Sequence, residues 1–233
     1  FSYILEACFK FMINLLFFLN CFNFNIMNNK ITTLIFDLGG VIINIDPSLT
    51  IKEFNLLAKR NGDILNSLDY KLFESNEMLN FFFDFEKGLI SENNFRNSLN
   101  NLIGINLDNN DFDIIWNKLI LSINYNIVDL IISLKNKYNV FVLSNTNSIH
   151  EKFFNNLFIK KYNLGLKDIF HKVYYSHEIH FRKPEIEIYK LILDQNNFLG
   201  DEVIFFDDID ENLIASKKLN FNTFQVLEID KFE

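Results

Sequence analysis

Four short segments of the chain carry side chains of the types that bind phosphate and a divalent cation. Two are acidic: Asp37 lies directly after a short apolar run, and the pair Asp207-Asp208 follows another. Adjacent carboxylates are costly to hold together without a cation, and an oxygen-only ligand set favours Mg²⁺. The other two offer hydroxyl, amide and cationic groups for an anion, in Ser144-Asn145-Thr146-Asn147 and Arg182-Lys183-Pro184. We expect Pro184 to occupy the first turn of a helix, which places Lys183 just before that helix.

Three of these segments follow apolar runs that predict the buried strands of a parallel sheet. Leu34–Phe36, Val140–Leu143 and Val203–Phe206 are apolar at consecutive positions, which is typical of strands buried on both faces. Taken singly, an acidic residue after a strand is most often a turn residue, and a Ser-Asn-Thr-Asn run is most often a capping loop. Open α/β sheets, however, bind ligands at the carboxyl ends of their strands. The fourth segment, Arg182-Lys183-Pro184, comes shortly after a short strand predicted at Lys172–Tyr175, so the order and placement of all four segments indicate one phosphate site at that edge.

The rest of the chain predicts the elements that position this edge. Helices and strands alternate from Ile127 to a last strand at Thr223–Leu227, which predicts an α/β fold with a doubly wound (Rossmann-like) parallel sheet as its core. Between the first two strands of this sheet, apolar residues recur at three- and four-residue spacing with no strand-like run, which predicts an inserted helical-bundle cap. We predict core residues 31–45 and 126–233, cap residues 46–125, and cap helices at Ile51–Arg60, Met78–Phe85, Glu92–Leu102 and Phe112–Leu121.

Residues 1–30 are predicted to be a leader outside the fold. Their apolar stretch Phe11–Phe22 is shorter than the roughly 20 residues of a membrane-spanning helix, and no small-residue cleavage site follows it. We expect translation to start at Met27, and a membrane anchor is the alternative interpretation. The 2 cysteines both lie in this leader, which favours a cytoplasmic protein without a disulfide framework. The net charge of −8 argues against nucleic acid as a partner.

The motifs DLGGV, LSNTN, RKP and FFDDIDEN resemble those of the haloacid dehalogenase-like hydrolase superfamily, over about residues 31–228. With a cap after its first motif, the chain is most similar to the α-D-glucose-1-phosphate phosphatase group. The resemblance implies that Asp37 attacks phosphorus and forms an aspartyl-phosphate, which splits one hard step into two. It also implies that Ser144 and the backbone of Asn145 hold the phosphoryl oxygens, and that Lys183 neutralises the charge that develops on them.

The same resemblance implies a metal site. Mg²⁺ would be held by Asp37, the Gly39 carbonyl and Asp208, where it screens the repulsion between the nucleophile and the phosphate. Asp207 would be more distant from the metal or a weaker ligand, and Asn212 would orient the loop that carries the acidic pair.

Two positions depart from the pattern of the resembling family. Gly39 stands where its phosphatases usually carry a second aspartate as general acid and base, and a missing general acid typically costs about 10²–10⁴-fold in rate. The sugar-phosphatase group often shares this glycine, and the leaving group of a sugar 1-phosphate is acidic enough to need less proton donation. His180 stands where a glycine is general, and we expect a solvent-facing loop residue there. His150, His171 and His177 lack metal-ligand spacing and are predicted to be structural.

The sequence therefore predicts a Mg²⁺-dependent phosphatase that acts on a small phosphorylated metabolite, such as glucose 1-phosphate. Two alternatives stay open: a metal-independent 2-haloacid dehalogenase of the same superfamily, which the acidic pair disfavours, and a non-catalytic phosphate-binding protein. We expect a monomer or homodimer with no membrane partner. In the cap, Phe81-Phe82-Phe83 and Phe85 could face the substrate, but we expect bundle core with one exposed ring.

Overall fold

A parallel sheet forms the central layer of the computed structural model, which describes residues 31–60 and 76–226. The strands are β1 (Thr33–Phe36), β2 (Ile43–Ile45), β3 (Ile120–Ile123), β4 (Asn139–Ser144), β5 (Lys172–Tyr175), β6 (Val203–Asp207) and β7 (Asn222–Gln225). Five of them form the sheet, in the order β5-β4-β1-β6-β7, and every neighbouring pair in it is parallel. The predicted leader with its start at Met27, and Leu227 at the end of the last predicted strand, lie outside the described residues.

Helices connect these strands. They are α1 (Pro47–Arg60), α2 (Asn76–Glu86), α3 (Glu92–Ile103), α4 (Asn109–Trp116), α5 (Tyr125–Leu134), α6 (Ser148–Tyr162), α7 (Leu166–Ile169), α8 (Ser176–Ile179), α9 (Ile186–Asn196) and α10 (Asp210–Lys217). Short 3-10 helices precede two of the strands, at Asn117–Leu119 and Gly200–Glu202. Within the described ranges, no helix is both long enough and apolar enough to cross a bilayer.

Helices cover both faces of the sheet. Successive side chains of each strand point to opposite sides, so an apolar strand contributes to a hydrophobic cluster on each face. Leu34 and Phe36 of β1 pack in one hydrophobic cluster with α5 and α6, whereas Ile35 packs in a second cluster with α9 and α10. All three side chains have 0% exposure, and each contributes about 1.5–3 kcal/mol by leaving water. The doubly wound α/β core predicted from the apolar runs is therefore confirmed.

A two-stranded ribbon joins the sheet layer to the inserted helices, and neither of its strands was predicted. β2 and β3 pair antiparallel, with Ile43 opposite Ile123. The predicted helix Phe112–Leu121 was wrong at its end, because α4 ends at Trp116 and the chain then passes through a 3-10 turn into β3. Four residues with a mixed apolar pattern are too few to distinguish a helical period from a strand period.

The helices described within residues 47–60 and 76–119, which we call the cap, enclose their own aromatic cluster. The rings of Phe85 and Phe95 stack with their centroids 3.8 Å apart, and Phe81 and Phe82 pack against the Phe95 ring. The predicted bundle-core position is therefore confirmed for these three of the four phenylalanines. Phe83 takes a different position, which is described below with the loop that it contacts.

Candidate active site

The register of the sheet brings the acidic residues to one edge. β1 pairs with β6 in a register that sets Asp37 beside Asp207. The Asp37 N–H donates to the Phe206 carbonyl of β6 over 2.9 Å. One carboxylate oxygen from each of Asp37, Asp207 and Asp208 lies within 4.8 Å of the others. On the other side of β1, β4 ends at Ser144 at the same edge. Three of the four predicted segments thus meet where the strands end.

Lys183 brings the fourth segment into the middle of this acidic group. Its side chain is 1% exposed, and its Nζ lies 2.8 Å from Asp37 Oδ1 and 2.7 Å from Asp207 Oδ2. Burial alone would lower the pKa of Lys183, but the two carboxylates outweigh that effect and raise its pKa above the usual value. The ammonium group is therefore charged and fixed in place although it is buried.

The backbone of Lys183 is held by the side chain of Asn145. Asn145 Oδ1 accepts the Lys183 N–H, and Asn145 Nδ2 donates to the Lys183 carbonyl, both over 2.8 Å. The expected helix start at Pro184 was wrong: α9 begins two residues later, and the Lys183–Pro184 peptide bond is cis. Pro184 lies instead in a turn closed by the Glu185 N–H and the Arg182 carbonyl, 2.8 Å apart. Lys183 is thus positioned by a loop and by Asn145 rather than by a helix terminus.

The carboxylate of Asp37 is held at one oxygen only. Oδ1 accepts the Leu38 N–H over 2.7 Å and contacts Lys183, and both hydrogen bonds to this carboxylate from the described residues reach Oδ1. Burial raises the pKa of Asp37 to about 7, against the opposing attraction of Lys183, and the neighbouring Asp207 raises it further. Three carboxylates with a single ammonium leave excess negative charge, which a divalent cation would neutralise.

Asp208 gives the clearest indication that a cation fits this site. Its Oδ1 is buried and accepts no hydrogen bond from the described part of the chain, a situation that costs about 1–3 kcal/mol when nothing compensates for it. The turn after β1 approaches so closely that a Cβ on Gly40, whose φ is +73°, would lie 2.2 Å from Asp208 Oδ2. Carboxylate and carbonyl oxygens are the ligands that Mg²⁺ takes in proteins, so the donors present fit this ion.

Asp207 is held in a different way from Asp208. It is completely buried, and its oxygens accept from the Ile209 N–H at 2.9 Å, from Asn212 Nδ2 at 3.0 and 3.1 Å, and from Lys183. With both oxygens occupied, Asp207 supports Lys183 and the surrounding loop. The Asn212 side chain, at the start of α10, fixes that carboxylate from the opposite side.

The polar run after β4 divides into two parts. Ser144 is 3% exposed, and among the residues that the structure describes its Oγ makes only a long contact of 3.5 Å, with the Asn145 carbonyl, so the hydroxyl can turn toward a ligand. The Thr146 N–H, in contrast, donates to Ser176 Oγ over 2.9 Å. Asn147 caps α6. Ser144 and Asn145 therefore face the site, whereas the two following residues stabilise local structure.

The histidines mostly serve packing and local structure. The ring of His150 is buried and stacks on Trp116 at a centroid distance of 5.3 Å, and burial lowers the pKa of His150 to about 3. His171 Nδ1 accepts a backbone N–H, and His177 Nε2 lies 2.9 Å from a carboxylate oxygen of Glu151. His180 is exposed, as expected from the sequence, but it also contacts the cap.

A contact between the cap and Arg182, the residue next to Lys183, was not predicted from the sequence. Arg182 Nε donates to Glu86 Oε2 over 3.0 Å, and the Arg182 guanidinium lies over the Phe83 ring, 3.7 Å from Cζ to the centroid. The Phe83 ring therefore stacks on the Arg182 guanidinium, whereas the sequence predicted that one of the four phenylalanine rings would be exposed. The two charged residues are 96 positions apart, and no local pattern links them.

Comparison with known proteins supplies the family. The family described as haloacid dehalogenase-like hydrolase matches residues 31–220. The chain is similar to a solved HAD family enzyme from Bacteroides thetaiotaomicron, with 30% sequence identity, a TM-score of 0.78, and coverage of 87% of this chain and 96% of that one. A structure of that enzyme in complex with magnesium and inorganic phosphate has 29% identity, a TM-score of 0.73, and coverage of 87% and 98%.

The chain is also similar to a curated protein over most of the length of both. A D-ribitol-5-phosphate phosphatase from Bacteroides thetaiotaomicron is 28% identical over 195 residues, which cover 84% of this chain and 91% of the relative. The family match extends over the cap and four of the five strands of the sheet, and it contains every residue of the site described above. The chain therefore belongs to the haloacid dehalogenase-like hydrolase family.

Proposed function

We propose that this chain is a Mg²⁺-dependent phosphatase that hydrolyses a small phosphomonoester through an aspartyl-phosphate. The observation that carries the proposal is the meeting of Asp37, Lys183 and Asp208 at the carboxyl edge of the sheet. Among the described residues, Asp208 Oδ1 has no hydrogen-bond donor, which supports a cation as its partner. The magnesium and phosphate complex of the similar enzyme supports the same chemistry.

In this proposal, the chain's own groups orient the reacting atoms. The Leu38 N–H and the Lys183 ammonium hold Asp37 Oδ1, so Oδ2 is the oxygen that attacks phosphorus. Lys183, the Ser144 hydroxyl and the backbone N–H of Asn145 hold the non-bridging oxygens and stabilise the charge that spreads over them.

The residues that would hold the metal follow from the carboxylates that lie together at the sheet edge and from the family motif. They are Asp37 itself, the carbonyl of Gly39 and the carboxylate of Asp208. When bound there, Mg²⁺ neutralises the phosphate charge and orients the phosphoryl group for attack. Asp207 keeps Lys183 charged and in place from the opposite side, through the contact of 2.7 Å between Nζ and Oδ2.

The balance of the reaction indicates which leaving groups suit this site. Attack forms a bond between phosphorus and Asp37 and breaks the bond to the departing oxygen, and water then releases inorganic phosphate and restores the carboxylate. Gly39 offers no carboxyl group that could protonate the departing oxygen. We therefore infer that leaving groups of low pKa, such as the anomeric oxygen of a sugar 1-phosphate, react faster than ordinary primary alcohols.

Two phosphate esters are the first candidates. Glucose 1-phosphate follows from the motif resemblance and from the absent general acid, whereas D-ribitol 5-phosphate is the substrate named for the 28% identical relative. Their leaving groups are an anomeric oxygen and a primary alcohol oxygen. Comparison with glucose 6-phosphate separates the two explanations: equal turnover of both glucose phosphates contradicts the leaving-group argument, and preference for ribitol 5-phosphate favours recognition of a polyol chain.

The experiment that tests the function is a panel of these esters and p-nitrophenyl phosphate, assayed with Mg²⁺ and with EDTA. We expect phosphate release that requires Mg²⁺ and disappears in Asp37→Asn, together with a phosphorylated Asp37 trapped by rapid acid quench. Chloride release from 2-chloropropionate without metal would favour the dehalogenase alternative instead. Binding of inorganic phosphate without turnover of any ester would favour the non-catalytic alternative.

A further inference from the structure

One turn of the cap is fastened to the loop that carries Lys183. We call residues 83–88, which are the end of α2 and the turn after it, the cap turn. We call residues 177–185, which run from within α8 to the residue before α9, the lysine loop. The backbones approach closely at Gly88, whose φ is +67°, because a Cβ there would lie 2.2 Å from the carbonyl oxygen of His177. A side chain at this position would push the two segments apart, so the glycine permits the contact.

The centre of this contact is Arg182, the residue directly before Lys183. Its guanidinium group lies between the Glu86 carboxylate, 3.0 Å from Nε, and the Phe83 ring, 3.7 Å below Cζ. The side chains of Arg182 and Glu86 are only 17% and 28% exposed, so water screens this ion pair less than it would an open one. Stacking on an aromatic face and hydrogen bonding in the guanidinium plane fix the orientation of an arginine as well as its position.

Further contacts surround Arg182. Lys87 Nζ lies 3.3 Å from Glu185 Oε1, and Glu185 Oε2 accepts the Arg182 N–H over 3.2 Å. His180 Nδ1 lies 2.8 Å from the Lys87 carbonyl oxygen. His180 has a left-handed backbone, with φ +60°, a conformation that costs a non-glycine residue about 1–2 kcal/mol. The contact with the cap is an interaction that a glycine at this position could not make.

Lys183 is thus held between two partners that belong to different parts of the fold. Asn145 holds its backbone from the sheet side, through the two hydrogen bonds of 2.8 Å. The cap turn holds the adjacent Arg182 from the opposite side. We propose, on the basis of the phosphatase function above, that Arg182 and Glu86 are positioning residues: docking of the cap turn on the lysine loop sets the place of the Lys183 ammonium.

The chain offers a matched control for this coupling. Lys152 of α6 and Glu92 of α3 form another ion pair between cap and core, with 2.6 Å between Nζ and Oε1, and neither residue belongs to the lysine loop. The chain also has an internal reporter, because Trp116 is its single tryptophan and it stacks on His150 of α6. Its emission reports whether cap and core remain packed in each variant.

The test compares Arg182→Ala, Glu86→Ala, the double variant, Glu86→Gln and Lys152→Ala in the full chain with saturating Mg²⁺. Two quantities are measured: kcat/KM for p-nitrophenyl phosphate, and the dissociation constant of inorganic phosphate by calorimetry. A shift of about 1 Å in a catalytic group can cost about 10²-fold, so we expect each alanine variant to lose about 10- to 100-fold in kcat/KM. Phosphate affinity should fall about tenfold, because Lys183 contacts the same oxygens.

The pattern across the variants distinguishes positioning from other roles. Arg182 and Glu86 act through one contact. The loss of kcat/KM in the double variant should therefore be no larger than the loss in the less active of the two single variants. Glu86→Gln keeps an acceptor for the Arg182 Nε–H and should recover part of the loss. Lys152→Ala should keep wild-type kinetics. Trp116 emission at its wild-type maximum identifies the variants that are folded. If an alanine variant is not folded, Glu86→Gln is used in its place.

Three results would overturn the inference. Additive losses in the double variant, or wild-type kinetics in Glu86→Ala with a large loss in Arg182→Ala, would mean that Arg182 acts on the ligand independently of the cap. An equal loss in Lys152→Ala would mean that any cap contact has the same effect. If the wild-type protein turns over no ester, the proposed function fails, and the inference is then decided by the phosphate dissociation constants alone.

Discussion

Replacement of Gly40 by alanine tests how closely the turn after β1 must approach Asp208. The new Cβ would lie 2.2 Å from Asp208 Oδ2 and 2.5 Å from Cγ, whereas ordinary van der Waals contact begins at 3.4 Å. The Asp208 carboxylate must therefore retreat by about 1 Å, or the turn must move by a similar distance. Mg²⁺ requires near-octahedral geometry with oxygen ligands at about 2.0–2.1 Å, so a carboxylate displaced by this amount no longer coordinates it.

Gly40→Ala should change two quantities, the affinity for Mg²⁺ and the free energy of unfolding. Disturbing a residue that only supports a metal ligand typically costs about 10–100-fold in metal affinity, so displacement of a ligand itself should weaken Mg²⁺ binding by at least about 100-fold. The φ of +73° at Gly40 adds a cost of about 1–2 kcal/mol to folding, because a Cβ is unfavourable in the left-handed region. Calorimetric titration with Mg²⁺ measures the first effect, and denaturant unfolding without metal measures the second.

The neighbouring glycine provides the control. A Cβ on Gly39 would meet only the Cδ1 atom of Ile45, at 3.1 Å, which is the flexible end of a side chain. Gly39→Ala also keeps the backbone carbonyl, so it should weaken Mg²⁺ binding far less than Gly40→Ala does. If Gly40→Ala binds Mg²⁺ within about threefold of wild type while remaining folded, Asp208 is not a metal ligand and the reasoning fails.

Three further predictions concern other parts of the molecule. Asn145→Ala removes both hydrogen bonds to the Lys183 backbone, so steady-state kinetics should give a kcat/KM about 10–100-fold lower, with Mg²⁺ affinity near wild type. Gly39→Asp places a carboxyl group where the leaving oxygen needs a proton, so the rate ratio of glucose 6-phosphate to glucose 1-phosphate should rise, by up to about 10²-fold; an unchanged ratio would contradict the role given to Gly39. His150 has a pKa of about 3 in the fold against 6.5 when unperturbed, so the unfolded chain binds a proton that the folded chain does not. Stability should therefore fall as the pH falls below 6.5, by up to about 1.4 kcal/mol per unit, and His150→Gln should flatten this slope in urea unfolding.

The central sheet was predictable because its signals are local. Runs such as Leu34–Phe36 and Val203–Phe206 are apolar at consecutive positions, and this pattern belongs to strands covered on both faces. In a parallel sheet, the residues that follow such runs all emerge at one edge. That rule placed Asp37 near Asp207 without any knowledge of the strand order. The structure adds the register, which makes the two residues direct neighbours.

The ribbon and the lysine loop were not predictable for physical reasons. The pairing of Ile43 with Ile123 links short strands on either side of the whole cap, and a strand of three or four residues carries too little periodicity to identify. Proline is common both in the first turn of a helix and in tight turns between elements. The sequence around Pro184 does not decide between these two structures. The side chain of Asn145 holds the Lys183 backbone across two segments 38 positions apart, a distance that no helix or strand period spans.

The acidic pair shows why motif residues cannot be interpreted one at a time. By residue type alone, Asp207 and Asp208 are equivalent carboxylates that both suit a cation, and only the family resemblance distinguished them at the level of sequence. In the fold, Asp207 ends β6 inside the protein, where Lys183, Asn212 and a backbone N–H occupy its oxygens, whereas Asp208 keeps a buried oxygen without a donor among the described residues. A buried ammonium without a carboxylate partner typically costs about 3–5 kcal/mol, so Asp37 and Asp207 together allow Lys183 to remain charged at this depth. Asp207 therefore helps to keep the Lys183 side chain charged, and in the function proposed above Asp208 is the member of the pair that binds the metal. In that proposal, a reaction that needs both positive charges beside Asp37 requires both acids.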